Sequence, residues 1–425
     1  MNKTSLILFS VCVIALCACG NTSSKKSKDT DKKTVDKVEV VKPDKHSEGI
    51  EKIPLFTECK NYNNDLSAIA SEVEFAAFDM TLPLSGFHVY DVAITDKYIF
   101  VMQMYNIIQY DLDGKFIRSI GSKGRGPKEY LQLHPPLSLD RKNKLIYATD
   151  CRGNKVQTYD YEGNYKKTFP LTTAFMNARL IDSSTFAMPQ HEGHRYRPNT
   201  PLVRFVDGKG KELKLYNSHI YPYDRKKMKM FGASTSFMWK NGGAYRFLEY
   251  GADTIFRIEK TKLIPEKVLT GKLKPSMEES FLRDIYNKMY IFQGIMRPTA
   301  GIFESDKFIV FKVSYDRERY YSVYNKETKQ FHRTYHKEIL RDDRRGKANM
   351  NFFTDDMVSG MRFSPRYQSG GKAIALISAE KVVEDRDVIL DFISKHPSKA
   401  SERLKAIVEK MTEEDNPLMM TVKFK

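Results

Sequence analysis

Two stretches of this chain align residue for residue without a gap: Tyr110-Asp111-Leu112-Asp113-Gly114-Lys115-Phe116 and Tyr159-Asp160-Tyr161-Glu162-Gly163-Asn164-Tyr165. Each ends a unit of four short apolar runs. The first unit holds Tyr90–Ile94, Tyr98–Met102, Ile107–Asp111 and Phe116–Ile120, with Asp113-Gly114 as a tight hairpin turn. Its copy, nearly 50 residues on, holds Leu137–Leu139, Leu145–Ala148, Val156–Tyr159 and Tyr165–Phe169 around Glu162-Gly163-Asn164. The runs are rich in β-branched and aromatic residues and bounded by turn formers, so they read as strands. Adjacent four-stranded copies at this spacing are the pattern of propeller blades.

Later copies are degenerate but continue the count. Leu180–Met188 and Leu202–Leu215, turning at Val206-Asp207-Gly208-Lys209-Gly210, suggest a third blade. Ser236–Leu269 suggests a fourth and Ala300–Phe331 a fifth, the latter with strands at Lys307–Val313 and Tyr320–Tyr324. Gly360–Phe363, Lys372–Ser378 and Leu418–Phe424 would build a sixth, leaving an earlier strand, Glu72–Leu82, to complete it. Such a strand closes the ring and removes open edges. The expected fold is all-β, a six-bladed β-propeller with short helical insertions, with seven blades as the alternative. The insertions are a capping box at Ser276 and Glu279 followed by a Leu282, Ile285, Tyr286, Met289 stripe, and a second stripe at Leu404, Ile407, Val408 and Met411.

Between the first two units runs Ile120-Gly121-Ser122-Lys123-Gly124-Arg125-Gly126-Pro127-Lys128-Glu129-Tyr130. With Asp113-Gly114-Lys115-Phe116-Ile117 before it, this segment resembles the six-bladed β-propeller lipoproteins of Bacteroidetes, a group related to NHL repeats. Asp415-Asn416-Pro417 before Leu418–Lys425 resembles that family's closing strand. The resemblance implies an envelope protein without an established activity. The glycines lack the Gly-Lys-Ser/Thr ending of a phosphate loop and open no helix after a strand, so neither nucleotide fingerprint is met. They read as a structural crossing, with direct ligand contact by Arg125 or Glu129 as the other reading.

The first fifty residues carry a different message. Lys3 precedes an apolar run, Leu6–Leu16, too short to span a bilayer but suited to an export signal. It ends in Leu16-Cys17-Ala18-Cys19-Gly20, which resembles a bacterial lipoprotein signal. That resemblance implies removal of residues 1–18 and acylation of Cys19, palmitate among the chains, since several chains hold firmly where one does not. Residues 21–49 hold eight lysines, six acids and few bulky apolar side chains, and read as a disordered tether. The folded domain is expected over 50–425. Localisation at the outer membrane follows by resemblance, with its periplasmic or surface face left open.

The net charge is +17, most of it beyond residue 50, and it attracts polyanions at low salt. Spread along the chain, the surplus reads first as general surface solvation. An exported chain does not meet nucleic acid, so acidic glycans or anionic lipopolysaccharide are the other reading, with a glycan or an envelope protein as the expected partner. Cys59 and Cys151 remain after processing, and their pairing is open. His191-Glu192-Gly193-His194-Arg195 has its histidines three apart beside a glycine and reads as a polar loop rather than a metal site. Asp113, Asp160 and Asp207 are explained by turns. Trp239, with Tyr245, Phe247 and Tyr250, is a candidate sugar-stacking surface or blade packing. No catalytic, cofactor or metal set is assigned. The expected function is a non-enzymatic binding or scaffold module for glycans or a protein partner. The alternative is a propeller enzyme acting on glycans or lactones.

Overall fold

In the computed structural model the described residues are 39–40, 49–84, 88–171, 178–189, 201–217, 236–275, 288–291, 301–316, 318–335 and 349–425. Val38–Lys425 form one compact unit, and its sheets are the blades of a six-bladed β-propeller. Blade one is Val89–Ile94, Tyr98–Gln103, Ile107–Asp111 and Phe116–Ser119; blade two is Leu133–Asp140, Leu145–Asp150, Lys155–Asp160 and Tyr165–Pro170. Arg179–Leu180, Thr185–Pro189, Pro201–Asp207 and Glu212–Asn217 make blade three, and Ser236–Asn241, Ala244–Glu249, Thr254–Glu259 and Lys262–Leu269 make blade four. Blade five is built on Ile302–Glu304, Phe308–Tyr315, Glu318–Asn325 and Phe331–Arg333. Both faces of a blade are covered by neighbours, which is why the second strands read as unbroken apolar runs. In blade one, Ile99 and Val101 pack with Ile374 and Met419 of blade six. Phe100 and Met102 turn the other way, onto Ile146 and Ala148 of blade two.

Blade six closes the ring. Its order is Tyr367–Ser369, Lys372–Ile377, Leu418–Phe424 and then Ala70–Ala77 from the other end of the chain. Val73 faces Val422, Phe75 faces Met420 and Ala77 faces Leu418 across that antiparallel pair. The expected closing strand is therefore present, a few residues earlier than its sequence pattern suggested. The inner strand corrects the reading of Gly360–Phe363. Arg362–Phe363 pair instead with Phe353–Thr354, and Tyr367–Ser369 takes the inner place because Gly370 and Gly371, both at positive φ, make the two-residue hairpin to Lys372.

The segment before Ala70 girdles the rim. Glu39–Val40, inside the span expected to be tether, add in parallel to Tyr216–Asn217 of blade three. Glu51–Ile53 add in parallel to Lys267–Leu269 of blade four. Tyr62 then bridges Arg333 on blade five, before the chain enters blade six. Three consecutive outer edges, those of blades three to five, are thus covered by this strap. Arg333 fastens it: its guanidinium donates to Leu55 O (3.2 Å), Thr57 O (2.6 Å) and Ser322 Oγ (2.8 Å).

Three helices, α1 (Ala379–Glu384), α2 (Arg386–Lys395) and α3 (Lys399–Val408), are inserted between two strands of blade six. The expected terminal stripe lies on α3, opened by a Ser398–Ser401 capping box and burying Leu404 and Val408. The sequence pattern did not point to α1 and α2, whose β-branched pairs Val382-Val383 and Val388-Ile389 lower helix propensity. Ile389 and Ile393, four apart, are the core face of α2. The stripe beginning at Ser276 falls mostly outside the described residues, as do Cys19 and His191–Arg195. Cys59 and Cys151 are free thiols on different parts of the ring. Burial, with Asp150 beside it, pushes the Cys151 thiol up to about 11. No helix among the described residues is long and apolar enough to cross a membrane.

Candidate functional site

The inner strands leave a central channel with a cavity of about 860 Å³, walled by residues of all six blades. It opens on the face that carries the turns after each inner strand, among them Asp140–Asn143, Asn241–Gly243 and Gly370-Gly371. Arg141, Lys142, Lys240 and Lys423 stand on the wall at or near these turns. Burial and the neighbouring Arg141 guanidinium lower the Lys240 amine, while Asp140 opposes them. Asp140, Asp182 and Asp306 line the same turns, so the mouth carries charges of both signs, with cations available to an acidic group.

Trp239, the chain's single tryptophan, lies on this wall although only 4 % of it is exposed. Its Nε1 donates to Glu304 Oε2 at 2.7 Å, and Glu304 also receives Lys326 Nζ at 2.7 Å. Phe247 is wholly buried in the packing of blades three and four. Tyr250 stacks on Phe237, away from the mouth. Of the aromatic group singled out in the sequence, Trp239 and Tyr245 reach the channel and the other two do not.

Arg125 and Glu129 lie elsewhere. The Gly121–Tyr130 segment is the crossing from blade one to blade two and shares no wall with the channel. Glu129 folds back on it, its Oε2 accepting from Gly126 N at 2.7 Å. A Cβ at Gly124 would lie 1.9 Å from that same oxygen, so the glycine makes room for the carboxylate. Gln157 and Lys155 of blade two donate to Glu129 O, and Tyr159 OH donates to Lys128 O. Arg125 is exposed.

Deeper in the channel, Tyr245 from blade four stands with two groups that linear reading did not select, Asp91 from blade one and Arg179 from blade three. Asp91 Oδ2 accepts from Leu137 N at 2.8 Å and Oδ1 from its own neighbour Val92 N at 2.9 Å. Desolvation nevertheless pushes its carboxyl up to about 6, against those two bonds and the Arg179 charge. Burial lowers the Arg179 guanidinium and raises the Tyr245 phenol, each partly offset by the other. In the seam between blades five and six, Lys312 is held near 7 by burial and by Arg319 and Arg366, and Arg366 reaches the channel wall. Among the described residues no group of three or more His, Cys, Asp or Glu is placed to hold a metal ion.

A carboxyl whose folded pKa is raised from 3.8 to about 6 binds protons more tightly folded than unfolded. Asp91 therefore costs nothing below pH 3.8 and its full penalty above pH 6. Channel water reduces the effect, leaving about 2 kcal/mol. In urea unfolding, the stability of the wild type relative to Asp91→Asn is expected to fall by that amount between pH 4 and pH 7. A difference constant with pH would show that the carboxyl is not desolvated.

Residues 62–423 match the model of a family described as a domain of unknown function, DUF4934. The chain belongs to that family. No curated protein matches it. Among solved structures it is similar to a protein of Bacteroides fragilis NCTC 9343 described as exported, at 16 % identity and a TM-score of 0.61, over 88 % of this chain and 99 % of that one. A DUF4221 member from Bacteroides vulgatus ATCC 8482 gives 12 % identity and a TM-score of 0.45, over 84 % and 97 %. The first supports the six-bladed fold found here. At such identity a likeness speaks to the fold and not to a ligand.

Proposed function

We propose that this DUF4934 propeller is a lipid-anchored binding module of the cell envelope, held through Cys19, that takes an acidic saccharide in its channel. The observation that carries the reading is the cavity itself: about 860 Å³, walled by all six blades, with cations at its mouth. That volume lies within the usual range for small-molecule sites. Convergent polar groups and the edge of an aromatic wall, Trp239 and Tyr245, suit a sugar ring carrying a negative charge. The export-type N-terminus and the net charge of +17 support an envelope setting and an acidic partner.

An enzyme acting on glycans or lactones is the alternative. It needs a wall carboxyl free to exchange a proton with substrate. Asp91 has a suitable pKa, but both of its oxygens are engaged by backbone N–H groups. Glu304 is tied to Trp239 and Lys326. Of the other wall carboxyls, Asp140 accepts from Asn143 and Asp182 from Ser184 N and Thr185 N. Asp306 alone does not make the carboxyl pair that glycoside hydrolysis needs, which favours binding without turnover.

Calorimetric titration of the full chain in detergent, with uronic-acid oligosaccharides and their neutral counterparts, tests the proposal. Saturable binding of the acidic series, unchanged ligand on recovery, and weakening with added salt are expected. Hydrolysis or elimination of the oligosaccharide would favour the enzyme. Absence of binding across both series would defeat the saccharide reading.

A further inference from the structure

Around the channel, neighbouring blades are tied at their inner ends by side chains. Asp91 of blade one receives Leu137 N of blade two at 2.8 Å, and Ser138 of blade two receives Leu180 N of blade three at 3.5 Å. Trp239 of blade four donates to Glu304 of blade five at 2.7 Å. Ser305 of blade five donates to Lys425 O at 2.6 Å, and Ser369 of blade six receives Ile94 N of blade one at 2.8 Å. Among the described residues no such tie closes the seam between blades three and four. Its side-chain hydrogen bonds sit at the outer rim, where the Tyr216 hydroxyl donates to Thr261 O and accepts from Leu263 N.

At the inner end of that seam stand Arg179 and Tyr245, both on the channel wall. Arg179 Nε is sealed from solvent and has no hydrogen-bond partner. No ion pair closes on the guanidinium either; Asp91 acts on it only from a distance, with its oxygens turned to backbone donors. A buried donor left unpaired is destabilising, and more so when charged. Charged groups in such a position are ordinarily paired.

We infer that the inner end of the blade three–four seam is a carboxylate subsite, in which Arg179 holds one carboxylate of a channel ligand and the Tyr245 hydroxyl lies alongside. The inference rests on the channel-binding reading and names the acidic group of its ligand. With Nε sealed, it is the two terminal nitrogens of the guanidinium that are left to meet the two oxygens of a carboxylate end-on from the channel. Asp91 across the channel disfavours a doubly charged phosphate, since a second negative charge in low dielectric would face its carboxylate. A bound carboxylate would supply the tie that this seam lacks.

The probe is free glucuronate against glucose, titrated into the full chain by calorimetry at low salt. Glucuronate is expected to bind, and Arg179→Met to weaken it by at least about tenfold while leaving glucose unaffected. Arg179→Lys should not restore the affinity, because an ammonium lacks the fork. Glucuronate should also raise the unfolding temperature of the wild type and not that of Arg179→Met. If Arg179→Met does not fold, Tyr245→Phe, which keeps the ring, must weaken glucuronate and spare glucose. Glucuronate affinity unchanged in the folded variants overturns the subsite but leaves the channel reading standing. Failure of the wild type to bind glucuronate and acidic oligosaccharides alike overturns both.

Discussion

A chain ending at Pro417 is expected to lose cooperative unfolding altogether. Leu418–Phe424 is an interior strand of blade six, paired on one side with Lys372–Ile377 and on the other with Ala70–Ala77. Leu418, Met420 and Val422 are wholly buried, and Met419 and Phe424 nearly so. Each such side chain contributes roughly 1.5–3 kcal/mol on burial. Their sum, about 10 kcal/mol, is comparable to the whole stability of an ordinary domain. Removal also frees the N-terminal strand, so two blade edges open at once. Urea unfolding followed by near-ultraviolet circular dichroism should show no sigmoidal transition, with dye-binding apolar surface in its place. A transition retained at the wild-type midpoint would mean that the ring closes by other contacts.

The second large effect separates two glycines that the sequence presents as equivalents. Gly114 and Gly163 occupy the same turn of blades one and two, at φ +94° and +85°. An alanine at 163 meets nothing nearer than Arg118 Cδ at 3.4 Å, with Ile120 at 3.7 Å and Ser119 O at 3.9 Å in ordinary contact. Its cost is the left-handed backbone, about 1–2 kcal/mol. At Gly114 the added Cβ would lie 2.1 Å from Ala77 O and 2.6 Å from Ala77 C, both backbone atoms of the closing strand. The turn must therefore move off that strand, and Asp79 N loses its bond to Gly114 O at 3.0 Å. Gly114→Ala is expected to cost about 3–5 kcal/mol, the range of overpacking added to backbone strain. Equal costs for the two substitutions, measured by equilibrium urea unfolding, would contradict the packing of Ala77 on this turn.

That pair shows why part of the molecule can be read from its sequence and part cannot. The repeat between Tyr110–Phe116 and Tyr159–Tyr165 is local, so turn chemistry and strand length reveal blades one and two directly. Ring closure was legible from the unpaired apolar strand near residue 75. What Gly114 touches was not, because Ala77 arrives there only once the ring has closed. The strap over blades three to five left no pattern either. Parallel pairs such as Glu51–Ile53 on Lys267–Leu269 use backbone groups that any sequence offers. In blade six the stripe that begins at Leu404 of α3 was legible, whereas α1 and α2 carry β-branched pairs, Val382-Val383 and Val388-Ile389, that tertiary packing overrides.

The site divides in the same way. Trp239 and Tyr245 are legible as part of an aromatic group, and both stand on the channel wall. Arg125 and Glu129 drew notice because their glycine-rich context is unusual, yet that context is spent on the crossing to blade two. Asp91 and Arg179 come from separate blades, one residue each, and no linear motif joins them. Their only trace is a charge inside an apolar inner strand, Asp91 within Tyr90–Ile94 and Arg179 between Ala178 and Leu180.

The emission of Trp239 reports on the channel alone, because no other tryptophan exists in the chain. Its Nε1–Glu304 bond lies in the wall that a ligand must touch or displace. Titration of the full chain with a uronic-acid oligosaccharide should shift or quench this emission saturably, at the concentration where calorimetry records binding. Calorimetric binding with no change at Trp239 would place the saccharide outside the channel and contradict the proposed site.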